Sequence, residues 1–100
     1  MPTSSEGTAG VTRDGDTLVF SGTLSRDAVA SLWPRALASI AGVRRFSLEG
    51  VPSLDSAGLA LLAELAARAG GGVVVTGAPR GLAVLRSAYR LDPSLAFAAA

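Results

Sequence analysis

Apolar residues recur along this chain in two periods, and each period predicts an element. In "GVTRDGDTLVFSG", Val11 and Arg13 fall on one side of Asp14-Gly15-Asp16, and Leu18 and Phe20 alternate with polar residues on the other. A period of two marks strands, and an Asp-Gly pair between such runs supplies the positive φ of a tight turn, so two antiparallel strands are predicted at 9–13 and 17–21. From Ser25 to Ala41 the period lengthens: Val29, Leu32, Trp33, Ala36, Leu37 and Ile40 are spaced by three and four, as on one face of a helix. Ser25 is the natural cap, Asp27 suits the first turn, and Gly42 ends the segment. Pro34 complicates it, because an interior proline loses the bond to Ala30 and costs about 3 kcal/mol. Either the helix kinks near Ala30, or its regular part begins at Ser31 as a cap.

Next, "VRRFSLEGV" (43–51) alternates again and predicts a strand. "GGVVVTGA" (71–78) is a short β-branched run of the kind buried on both faces. A helix at 57–69 lies between them, so this strand-helix-strand unit is expected to cross over in the right-handed sense. The last helix is predicted over "PRGLAVLRSAYRL", with Pro79 in its first turn and Leu82, Leu85, Ala88 and Tyr89 on one face, and "DPSLAFAAA" follows as a short apolar tail. With residues 1–8 as a frayed tail, 9–100 is expected to form a single domain of order β-β-α-β-α-β-α. The fold class is α/β: a small mixed sheet of about four strands with helices packed against it. In such sheets partners meet the loops beyond the carboxyl ends of the strands, where Ser56 falls.

Composition narrows the function. All nine basic residues are arginine and face eight acidic ones, so a net charge of +1 supplies no field for nucleic acid or for an anionic membrane. Cys, His and Lys are all absent, which removes thiolate chemistry, the usual metal ligands and every general base near neutral pH except a perturbed carboxylate. No catalytic set, cofactor site or metal site is expected. "MPTSSEGTAG" lacks the basic and apolar regions of a signal peptide, and no apolar run reaches the roughly 20 residues of a membrane span, so a cytoplasmic location without direct membrane insertion is expected.

The candidate site is "SLDSAGLALLAEL". Asp55 and Ser56 are good helix caps and need no function on that ground. Gly58 points the other way, because glycine two residues into a helix costs about 1 kcal/mol relative to alanine and marks a close approach to the backbone. At 100° per residue Leu59, Leu62, Ala63 and Ala66 form a stripe facing the sheet. Leu61 then falls with Ala57, Glu64 and Arg68 on the solvent side, as an apolar contact for a partner. A phosphate on Ser56 would meet free backbone donors at the helix start while Asp55 opposed it. Trp33 lies in the apolar stripe of the first helix, a position for core packing with an interface role as the second reading. "AGGGV" lacks the lysine of a phosphate loop, and Arg80, Arg86 and Arg90 read as solvated charge.

The element order together with "VPSLDSAGLALLAEL" resembles the STAS domains, the fold of anti-sigma-factor antagonists, whose motif Asp-Ser-[Ser/Thr]-Gly-Leu is matched by Asp55, Ser56, Gly58 and Leu59, with Ala57 in place of the second hydroxyl. Within that family, "GDTLVFSGTLSRDAVASLW", "LDSAGLALLAEL" and "AYRLDPSL" are similar to the STAS subunits of Gram-negative phospholipid-transport ABC complexes, which maintain outer-membrane lipid asymmetry. The resemblance implies a non-enzymatic regulatory subunit, peripheral to the inner membrane, that binds an ABC-transporter ATPase and through it a permease. Asp55, Ser56, Ala57, Gly58, Leu61 and Trp33 are its expected partner-binding residues. The alternative it implies is an anti-sigma-factor antagonist, with Ser56 as the phosphorylation site and a serine kinase as partner.

Overall fold

A computed structural model describes residues 9–91 and Leu95. The elements run β1 (Gly10–Asp14), β2 (Thr17–Ser21), α1 (Arg26–Ala38), β3 (Arg45–Gly50), α2 (Ser56–Arg68), β4 (Val74–Thr76) and α3 (Leu82–Ala88). The strands form one mixed sheet in the order β1-β2-β3-β4, with β1 antiparallel to β2 and the other pairs parallel. The order and class predicted from the pattern of apolar residues are those observed. The residues at 1–8, and the apolar tail except Leu95, lie outside the described residues.

Alternation sets the core. Leu18 and Phe20 on β2 and Phe46 and Leu48 on β3 are all fully buried, and the Phe20 and Phe46 rings meet edge to face with centroids 5.8 Å apart. A pair of this kind adds about 1 kcal/mol to the area it buries. Leu32 and Ala36 of α1, and Leu59, Leu62, Leu65 and Ala66 of α2, complete the same cluster.

Four expectations change. First, α1 runs unbroken through Pro34 from Arg26, so it does not begin at Ser31. Pro34 and Ala30 both lie on the exposed side, where the carbonyl that proline leaves unpaired is open to solvent, and Ser31 Oγ donates to the Ala28 carbonyl one turn away. Second, β4 is three residues long and is an edge strand, with Val74 51% exposed, so it is not buried on both faces. A β-branched run carries no information about which strands flank it. Third, α3 begins at Leu82 after an N-cap at Gly81, leaving Pro79 outside the helix with its carbonyl accepting from Leu82 N. Fourth, the Ser25 side chain makes no capping bond.

Strand pairing continues past the strands, and this positions the loops. Gly22 N donates to Gly50 O, Leu24 N to Ser53 O, and Leu54 N to Arg80 O, at 3.0, 3.1 and 3.1 Å. The three connections leading into α1, α2 and α3 therefore run side by side, with bridges at Leu24–Leu54 and Ser53–Arg80. The starts of α1 and α2 are thereby brought together at the carboxyl ends of the parallel strands.

Candidate functional site

Asp55 occupies the N-cap of α2 and its Oδ1 accepts from Gly58 N at 2.9 Å, the usual bond from a cap to the third helical residue. Its Oδ2 accepts from Arg26 N, the first residue of α1, at 3.1 Å. One carboxylate thus serves the starts of two helices, and the Ser25 side chain adds no capping bond of its own. The Gly58 N–H lowers the Asp55 pKa below its ordinary value; desolvation, the next largest influence, pushes the other way, and the N–H groups of Arg26, Ala57 and Asp55 itself add to the lowering. The anion is the form that both helix starts favour.

Gly58 owes its identity to the interior. A Cβ there would run into the carbonyl oxygen of Leu24 and lie 2.9 Å from the Leu24 Cβ. The same carbonyl accepts from Asp55 N at 3.2 Å, so the chain before α1 is pinned against the first turn of α2. The close approach expected at Gly58 exists, and the approaching group belongs to this chain.

With Asp55 as the cap, Ser56 is left over. It is the first residue of α2, it is exposed, and its hydroxyl makes no hydrogen bond among the described residues. It opens onto a groove of about 690 Å³. Ala57, Ala60 and Ala63 form the α2 side of this groove, Tyr89 and Leu91 line it from the end of α3, and Arg26 joins Ser56 and Asp55 at its α1 end.

Asp55, Ser56 and Ala57 are therefore gathered at one surface, whereas the two other apolar candidates are not. Leu61 is 3% exposed and belongs to the core, so its expected solvent position is overturned. The buried arc of α2 runs from Leu61 through Leu65, Gly58, Leu62 and Ala66 to Leu59, about 160° at 100° per residue, because α2 packs against α1 and α3 as well as into the common core. A single stripe was too narrow a description of a helix with two neighbours. Trp33 is half-buried under the Arg68 guanidinium, 5.4 Å from the ring centroid, and Arg68 in turn pairs with Glu64. Arg68 ends a thirteen-residue helix, so this cluster lies about 18 Å along α2 from Ser56.

Sequence reasoning missed Arg26, Ala60, Ala63, Tyr89 and Leu91. The three-residue spacing of Ala57, Ala60 and Ala63 outside the leucine arc was a readable signal, but the far wall is created by tertiary packing alone. Among the described residues no group of three His, Cys, Asp or Glu side chains could hold a metal ion, and no helix is long and apolar enough to cross a membrane.

Comparisons with known proteins identify the family and the fold. The sequence model described as "Mlab, STAS domain" matches residues 9–96. The intermembrane phospholipid transport system binding protein MlaB of Escherichia coli (strain K12) is 34% identical over 80 residues, 77% of this chain and 82% of that protein, and MlaB of Shigella flexneri matches to the same extent. Among solved structures, the anti-sigma factor antagonist SpoIIAA in its unphosphorylated form superimposes with a TM-score of 0.55 at 17% identity, covering 93% of this chain and 90% of the other, a likeness of fold. With the Asp55-Ser56 turn at the head of α2 and this sheet order, the chain belongs to the STAS-domain family described by the MlaB model.

Proposed function

We propose that this protein is a non-enzymatic STAS subunit of a phospholipid-transport ABC system, which binds the system's ATPase on the cytoplasmic side of the inner membrane and reaches the permease through it. The observation that carries this reading is the exposed Ser56 hydroxyl, released from capping by Asp55, at the mouth of an apolar groove. A hydroxyl beside apolar walls is the arrangement of a protein contact, in which the walls supply area and the polar group fixes register. The likeness to MlaB supports the choice of partner.

The test is a mild-detergent pull-down from the native host with this chain as bait, followed by mass spectrometry. Recovery of an ABC ATPase together with a permease supports the proposal, and recovery of neither overturns it. The exposed hydroxyl serves equally an antagonist of an anti-sigma factor switched by phosphorylation of Ser56, and recovery of a serine kinase with a phosphorylated Ser56 peptide would establish that reading instead.

A further inference from the structure

We infer that the groove along α2 receives an amphipathic helix of the ATPase, and that a carboxylate on this helix pairs with the guanidinium of Arg26. The inference rests on the ATPase-binding reading and specifies the chemistry of the partner.

The helical shape of the occupant follows from the groove. Ala57, Ala60 and Ala63 succeed one another at three-residue steps, so this side of the groove is a row of methyl groups about 9 Å long on the outside of α2. Ala57 and Ala63 are half-buried and Ala60 is exposed, while every leucine of α2 points into the core. Small residues on one helix let a second helix approach closely, and Tyr89 and Leu91 close the far side around it. Tyr89 is 47% exposed, an aromatic body with a polar tip of the kind that anchors interfaces.

The charge of the occupant follows from the bonds at the groove's end. Both carboxylate oxygens of Asp55 already accept from backbone N–H groups, and Asp55 makes no bond to the Arg26 guanidinium. The Arg26 guanidinium, exposed at the same end, makes no ion pair or hydrogen bond among the described residues. The first turns of α1 and α2 add their positive ends at the same place. A partner carboxylate placed there can form a two-pronged bond with the unpaired guanidinium, whereas a basic side chain finds no such contact with it.

The experiment measures affinity between the purified full-length chain and the ATPase recovered from the native host, across a salt series. Arg26→Gln is the informative variant, because the Asp55 bond uses the Arg26 backbone and survives the substitution. Binding should weaken roughly 30-fold, with a shallower salt dependence, while the urea midpoint of the isolated chain stays unchanged. Arg35→Gln, a charge lost from the last turn of the same helix, should leave affinity unchanged. Ala60→Phe should abolish binding by filling the groove without entering the core. An Arg26→Glu variant should recover affinity when an acidic residue of the ATPase helix is changed to arginine. If wild type binds and Arg26→Gln binds equally well, the charge pairing is overturned; if Ala60→Phe binds equally well, the groove is not the dock. If the wild type binds no ATPase at all, the proposed function falls with it.

Discussion

The carboxylate of Asp55 accepts from the backbone N–H of Arg26 across a sequence separation of 29, at 3.1 Å, in addition to capping its own helix through Gly58. Asp55→Ala should therefore cost about 2 kcal/mol, roughly twice a single cap, as read by urea denaturation. Asp55→Asn keeps one acceptor and should cost about half as much.

The same carboxylate gives a defined pH response. Its pKa is lowered on folding, so the unfolded state binds the proton more readily, and the stabilisation is complete above the ordinary aspartate value of 3.8 and lost as pH falls through the lowered folded value. The stability difference between wild type and Asp55→Asn should be constant from neutral pH to about pH 5 and shrink below pH 4. Because the group is exposed, solvent keeps the change to a fraction of a kcal/mol. A difference that grows on acidification would remove Asp55 from the capping role.

Gly58 and Leu24 touch backbone to backbone, so Gly58→Ala has no flexible neighbour to displace. A loss of about 3 kcal/mol is expected, seen as a lower denaturant midpoint at constant slope, even though alanine is the better helix former in isolation. A neutral or stabilising result would show that α2 can withdraw from the chain before α1.

Neighbouring residues of α2 should respond in opposite ways. Leu61→Glu buries a carboxylate in the core and should cost about 4 kcal/mol or prevent folding, whereas Ala60→Glu should leave the thermal midpoint unchanged and act only on binding. Ser56→Ala should likewise be neutral for stability, since the hydroxyl caps nothing. In the partner complex Ser56→Asp should weaken binding more than Ser56→Ala, because an unpaired carboxylate at an interface costs more than a lost hydroxyl. Equal affinities for these two variants would take Ser56 out of the contact.

Arg13 closes the opposite end of the domain. Its Nη1 donates to the carbonyls of Ser39 and Ala41 at 2.8 and 2.7 Å and its Nε to Gly15 at 2.7 Å, tying the first hairpin to the chain after α1. Arg13→Ala should cost about 1 kcal/mol, and Arg13→Lys should not restore it, because one ammonium lacks the fork that reaches three carbonyls. Hydrogen exchange at the Gly15 turn would locate the loss.

What the sequence disclosed depended on the range of the interaction. The hairpin at Gly15, the helical leucines after Ser56 and the order of elements follow from contacts between near neighbours, and periodicity records these directly. Asp55 and Ser56 were identified as residues of interest, but their division of labour was not legible, because the second partner of Asp55 is reached only after two strands have paired. Leu61 was misplaced for a related reason: the width of a buried arc depends on how many elements surround the helix. Pro34 shows the converse, a local penalty absorbed by exposure to water.

The turn at the head of α2 places residues under unlike demands within four positions of one another. Among random variants of this protein, changes at Asp55 and Gly58 should deplete the amount of folded protein in the cell, whereas changes at Ser56 should leave abundance intact and remove variants only when partner capture is selected. Substitution tolerance along "DSAG" would then differ between its outer pair, Asp55 and Gly58, and its inner pair, Ser56 and Ala57, according to which selection is applied. The four residues answer to two separate demands, one read by the cell's proteases and the other by the partner.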